Sequence, residues 1–187
     1  MKIKEIVSLV MEELSNTFVN LNEAQLEELQ NRITKANKIL VVGAGRSLLM
    51  IRGFAMRLMQ MGYTVYVVGE TVTSAIEKGD LLIVASGSGS TGTLIVMAEK
   101  CKKIGAELAL ITTRSNSPIG KLADLIIEVN AATTKVEGGE KNTLQPGANT
   151  FEQSVLLIGD AIIIALMSKC SLEESNRQLM IRHANLE

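Results

Sequence analysis

Two stretches of small residues in this chain have the composition of an anion cradle. Residues 43–47 read Gly-Ala-Gly-Arg-Ser, and residues 85–93 read Ala-Ser-Gly-Ser-Gly-Ser-Thr-Gly-Thr. Each follows a short apolar run and precedes a segment of helical pattern. At such a junction the unpaired N–H groups of a helix start, and the positive end of its dipole, face the loop. The hydroxyls of Ser47, Ser86, Ser88, Ser90 and Thr91 add donors, while Gly45, Gly87 and Gly89 let the backbone approach a bulky anion. Arg46 brings a guanidinium within reach of phosphate or hydroxyl groups. The set suits a phosphate monoester. A plainer reading has Ser90 or Thr91 capping a helix; that uses one residue and leaves Ser86, Ser88 and two glycines unexplained. A dinucleotide fingerprint fails at its third glycine, where Leu48 stands, and Glu70 lies 27 positions beyond Gly43 rather than the usual ~20. No P-loop pattern occurs.

A proton-transfer group is also at hand. Glu152 follows the longest polar stretch, residues 130–148, and opens a strongly apolar segment. In the first turn of a helix the dipole favours an ionised carboxylate, the form a general base needs. The same residue completes a capping-box spacing with Asn149, whereas Thr150 and Gln153 can form a box one residue later and leave Glu152 free. The local sequence supports both uses. Gln145, and with it Asn149, is placed to line a pocket from the long loop.

These residues need a frame. Apolar positions at Ile3, Ile6, Val7, Val10, Leu14 and Phe18 have helical spacing, and Asn22 caps a second helix over about 23–36. Strands follow at 39–43, 64–68, 81–85, 107–112 and 124–129, alternating with helices over about 48–61 and 91–104 and a short helix containing Ile119 and Leu122. Gly62 and Gly105 end the two longer helices. The strands are unbroken apolar runs, the mark of a parallel sheet covered on both faces. Right-handed crossovers make this a doubly wound five-stranded parallel α/β sheet. Such sheets bind ligands outside the carboxyl ends of their strands, where both small-residue loops fall. A buried helix over about 150–169 and a polar C-terminal segment complete one domain over 1–187: N-terminal helices in 1–36, the α/β core in 37–169, the tail in 170–187.

Composition narrows the partners. The chain has 187 residues, 47% of them hydrophobic, and a net charge of −1 from 19 basic and 20 acidic side chains. Nothing in that balance favours nucleic acid or an anionic membrane, and no tryptophan is present for base stacking. Cys101 and Cys170 are far apart, and one histidine argues against a His/Cys metal site; reduced thiols and a cytoplasmic setting are the expectation. The run 155–167 contains Asp160 and is shorter than a bilayer span. Lys100, Lys102 and Lys103 read as a solvated helix face, and Met50, Met56, Met59 and Met61 as core or interface filling.

The Gly-Ala-Gly-Arg-Ser stretch, Phe54 to Met59, Ser86 to Gly89, Gln145-Pro146, Phe151-Glu152-Gln153 and the terminal His183-Ala-Asn-Leu-Glu187 together resemble the 6-phospho-3-hexuloisomerases, small enzymes of the sugar isomerase (SIS) superfamily. The resemblance runs along nearly the whole chain. It departs after Gln145-Pro146, where Gly147-Ala148 stands in place of the family's Met-Gly. It implies a flavodoxin-like SIS domain and a homotetramer with active sites at subunit interfaces. It also implies interconversion of D-arabino-3-hexulose 6-phosphate and fructose 6-phosphate in the ribulose monophosphate pathway of formaldehyde fixation, with neither metal nor cofactor. On this reading Glu152 is the base. His183, a residue type more often met at the surface when alone, shuttles protons or assists ring opening from a C-terminal arm that reaches a neighbouring subunit. Isomerisation of arabinose 5-phosphate or sedoheptulose 7-phosphate, and phosphosugar sensing without catalysis, are the alternatives.

Overall fold

The structure, a computed structural model, describes residues 1–131, 143–168 and 171–186. Most of the long 130–148 stretch and Cys170 therefore lie outside the described residues. The elements run α1 (Ile3–Phe18), α2 (Glu23–Lys35), β1 (Ile39–Gly43), α3 (Arg46–Gln60), β2 (Val65–Val67), β3 (Leu81–Ala85), α4 (Gly92–Ile104), β4 (Glu107–Thr112), β5 (Leu125–Glu128), α5 (Asn149–Met167) and α6 (Leu172–Ile181). The five strands form one sheet in the order β2-β1-β3-β4-β5, every pairing parallel. The expected doubly wound α/β sheet is what the chain builds.

Alternation along the strands sorts two cores. Ile39, Val41, Leu81, Ile83, Ala109, Ile111 and Ile127 face α2, α3 and α5. Leu40, Val42, Leu82, Val84, Leu108 and Leu110 face α4 through Leu94, Ala98 and Cys101. Both faces being covered, the strands need no polar alternation, which is why they read as continuous apolar runs. The sheet reverses its order between β1 and β3, so a crevice opens above their carboxyl ends.

Local chemistry explains most boundaries. The Asn22 side chain accepts a bond from the Gln25 amide at 3.3 Å and starts α2. Gly105 ends α4 in the left-handed region at φ 86. α5 packs along α3, and a Cβ on Gly159 would lie 3.0 Å from Phe54; the missing side chain lets the two helices close up. By length and composition α5 could cross a bilayer, but more than half of it is buried within the fold. Its apolarity is that of a core helix.

Four expectations change. The short helix containing Ile119 and Leu122 is a series of turns over residues 114–123. There the Ser117 Oγ accepts from the Gly120 amide and the Ile119 amide donates to the Gly89 carbonyl, so backbone groups are satisfied across loops instead of along a helix. α3 begins at Arg46, two residues before the pattern predicted, because Gly45 turns the chain at φ 56. The C-terminal segment is a helix, α6, started by Ser171 accepting from the Glu174 amide at 3.2 Å. The edge strands also shorten: Asp124 leaves β5 to receive the Leu108 amide on its carboxylate.

Candidate active site

A cleft of about 840 Å³ lies over the carboxyl ends of β1, β3 and β4. Its first wall is the turn after β1, Ala44 to Ser47. Its centre is the loop after β3, from Ser86 to Thr91. Its third wall is Thr113 and Arg114 after β4, and Ala148, Phe151 and Glu152 come in from the start of α5. The loops that supplied the sequence candidates thus converge. Gly45, Arg46, Ser47, Ser86, Gly87, Ser88, Ser90, Thr91 and Glu152 all line the cleft.

The β3 loop is held from behind. The Gly87 carbonyl accepts from the Thr113 amide at 3.0 Å, from the Thr113 hydroxyl at 2.8 Å and from the Thr112 hydroxyl at 3.1 Å. Gly89 is not part of the lining. It sits at φ +58 with its α-carbon facing Ser117, so a Cβ there would fall 2.1 Å from the Ser117 Oγ; only glycine fits this bend. Thr91 is the residue before α4 but makes no side-chain cap, and Ser90 gives its amide to the Ser88 hydroxyl at 3.3 Å. The Thr91 hydroxyl is therefore not consumed in capping, and α4 starts at the edge of the cleft, where the unpaired amides of a helix start suit an anion.

Glu152 is not a cap. Its amide donates to the Ala148 carbonyl as an ordinary helical bond. Its carboxylate accepts from Arg46 Nη1 at 3.2 Å. The same guanidinium nitrogen donates to Asn149 Oδ1, so Asn149 is occupied by Arg46 and forms no capping box with Glu152. The alternative box fails too, since Thr150 turns toward α1 and the buried Gln153 Oε1 has no partner among the described residues. The ion pair is lopsided: the Glu152 side chain is 10% exposed and that of Arg46 42%. A nearly buried carboxylate thus faces the cleft with one charged partner, while Phe151 beside it packs into the core.

Two sequence candidates stand elsewhere. Gln145 is buried and donates from Nε2 to Thr150 Oγ1 at 3.1 Å, so it braces the start of α5 and does not line the cleft. His183 is exposed, with Nδ1 3.0 Å from the Ala184 carbonyl. Its neighbour Arg182 lies over the C-terminal end of α3, donating to the Gln60 carbonyl at 3.5 Å. Arg46 starts that helix, and fifteen residues span roughly 20 Å. Within one chain, His183 and Glu152 are therefore at opposite ends of α3.

The periodicity left two features out of view. The Thr150 hydroxyl donates to Glu13 Oε1 on α1, and Thr143 donates to the same oxygen at 2.8 Å. This ties the N-terminal helix to the first turn of α5, two residues from Glu152, through a contact 137 residues apart in sequence. The other is Arg114, whose position just past the end of a strand was its one signal.

A sheet of this order with serine-rich loops over the β1/β3 switch point resembles that of known proteins. The SIS domain model matches residues 32–163. The chain belongs to the SIS domain family. Within it, the chain is 40% identical over its whole length to the whole of a 3-hexulose-6-phosphate isomerase of Bacillus subtilis. It is also 40% identical to the enzyme of that name from Mycobacterium gastri, over 97% of this chain and 89% of that one. The fold superposes with a TM-score of 0.82, at 35% identity and covering 98% of this chain and 99% of the other, on a Methanococcus jannaschii protein whose crystal structure led to an inferred function of 3-hexulose-6-phosphate isomerase. The matched SIS region takes in every strand, both cleft loops and Glu152.

Proposed function

We propose that this SIS protein isomerises a sugar phosphate, interconverting D-arabino-3-hexulose 6-phosphate and fructose 6-phosphate, as the names of its full-length relatives indicate. The observation that carries the reading is the pairing of Glu152 with Arg46 in the same cleft as the β3 loop. The loop, with its hydroxyls and the α4 amides, holds the phosphate. Binding energy from that remote group positions the reacting carbons. Glu152 removes the C2 proton, which the C3 ketone has acidified, and an enediolate forms across C2 and C3. The proton returns to C3, the O2 proton passes to O3 as the C2 carbonyl forms, and fructose 6-phosphate results. A positioned base contributes about 10²–10⁴-fold. Arg46, already on the Glu152 carboxylate, is placed to offset the enediolate charge as it develops.

Assembly enters the same proposal. Ile3, Ile6, Val7 and Met11 of α1 are exposed, as are Met56 and Met59 of α3, Ile164 of α5 and Met180 and Ile181 of α6. So much apolar surface supports a homo-oligomer, a tetramer on the family pattern. It would let His183 of one subunit serve the Glu152 of another, a pairing that one chain does not allow. The setting proposed is the cytoplasm and the ribulose monophosphate pathway.

The test follows fructose 6-phosphate production from 3-hexulose 6-phosphate. Glu152→Gln should abolish turnover and C2 proton exchange in deuterated water while fructose 6-phosphate still binds. Retained exchange would place the base elsewhere, and binding without wild-type turnover would make the protein a sensor. Mixed oligomers of Glu152→Gln and His183→Ala chains should regain activity if sites are shared between subunits; no recovery would count against sharing.

A further inference from the structure

The chain has seven arginines. Six have partners: Arg32 pairs with Glu28 and Glu107, Arg46 with Glu152, Arg52 with Glu70 and Arg177 with Glu174. Arg57 donates to the Gln60 side chain, and Arg182 to main-chain carbonyls. Arg114 lines the cleft, yet among the described residues its guanidinium meets no acceptor. The Glu128 carboxylate at the end of β5 accepts from the Ser115 amide at 3.2 Å. A side chain that could fold onto its own surface is left uncommitted at the wall of the candidate site.

Its anchor is rigid. The Arg114 amide donates to Thr112 Oγ1 at 3.1 Å, and Thr113 is clamped to the Gly87 carbonyl. The root of Arg114 is thus locked to the β3 loop. The strand order β1-β3-β4 then sets the geometry. Arg46 and Glu152 stand on the β1 flank of the loop, and Arg114 stands on the β4 flank. Two strand spacings separate the flanks, about 10 Å, a span comparable to an open-chain hexose phosphate. The cation on the β1 flank is committed to the carboxylate, so the β3 loop offers a dianion neutral donors and a helix dipole there, and full charge only from the β4 flank.

We propose that Arg114 is the charged ligand of the phosphoryl group, and that it sets the polarity of the bound substrate: phosphate toward β4, carbonyl carbons toward Glu152. The proposal rests on the phosphosugar reading of the cleft. Its chemistry is that of a guanidinium fork on two phosphoryl oxygens, which lysine reproduces only as a point charge.

The experiment is calorimetric titration of the full chain with two probes, fructose 6-phosphate and inorganic phosphate, on wild type, Arg114→Ala and Arg114→Lys. Loss of a charge-assisted contact should weaken both probes by about tenfold or more in Arg114→Ala, with Arg114→Lys in between. In turnover KM should rise by the same factor and kcat should fall with it, because a substrate that loses its phosphoryl anchor also loses the positioning of its reacting carbons. Wild-type affinity of Arg114→Ala for both probes overturns the proposal. Weakened fructose 6-phosphate with unchanged phosphate also overturns it, since the guanidinium would then be reading the sugar. A wild type that binds both probes but does not isomerise would sink the enzymatic reading and leave this one standing.

Discussion

Removing the Glu13 carboxylate should loosen the proposed base from a distance. Glu13 Oε1 accepts from Thr150 and Thr143, and Thr150 is 1% exposed. In Glu13→Ala the Thr150 hydroxyl loses its acceptor where water cannot readily replace it. A buried polar group left in this way costs about 1–3 kcal/mol. Gln145, donating to the same hydroxyl, loses part of its support, so the upper half of that range applies if the two relax together. For a chain of this size 1 kcal/mol moves the melting temperature by about 2–4 °C, so a fall of roughly 2–12 °C is expected. Because Thr150 lies in the turn that carries Glu152, kcat should fall as well, while affinity for inorganic phosphate, set by the β3 loop, stays near wild type. Glu13→Gln keeps an acceptor oxygen and should recover most of both losses. The assay is thermal unfolding beside steady-state kinetics, with gel filtration to check that assembly is unchanged. A Glu13→Ala protein that melts and turns over like wild type would refute the idea that α1 holds the start of α5 in place.

Two further outcomes are expected. Gly89→Ala combines a strained φ of +58 with a Cβ 2.1 Å from Ser117 Oγ, so the β3 loop must rebuild; phosphate affinity by calorimetry should fall by more than about tenfold, and an unchanged value would mean that the loop does not hold the anion. Burial pushes the Cys101 thiol up to about 11 from an ordinary 9.0, Lys102 opposing. The folded state therefore keeps its proton between pH 9 and 11 where the unfolded chain has lost it. The stability this confers is full below pH 9 and drains away as pH rises through that window. In a Cys170→Ser background, iodoacetamide should label the native protein slowly near neutrality and faster toward pH 11, with rapid labelling at pH 8 only after denaturation. Fast labelling of the folded protein at neutral pH would contradict it.

Sequence by itself determined the frame. Unbroken apolar runs at 39–43, 81–85 and 107–112 demanded a sheet covered on both faces, and the glycine–hydroxyl loops after the first and third runs had to emerge at its carboxyl edge. Those are consequences of period and turn chemistry, which act over a few residues. Which neighbours a side chain meets across the fold was decided only by tertiary structure. Thr150, Asn149 and Gln153 all satisfy a local capping rule, yet Asn149 was taken by Arg46 and Thr150 by Glu13. A residue near a helix start answers to whichever donor or acceptor the packing brings within 3 Å, and no spacing along the chain encodes that. The turns of residues 114–123 likewise bonded to the β3 loop through Gly89, where local pattern predicted a helix. Arg114 joined the cleft, and His183 stood at the far end of α3, because strand order and helix length place loops in space; hydrophobic periodicity sets the elements but carries no record of how far apart their ends will finish.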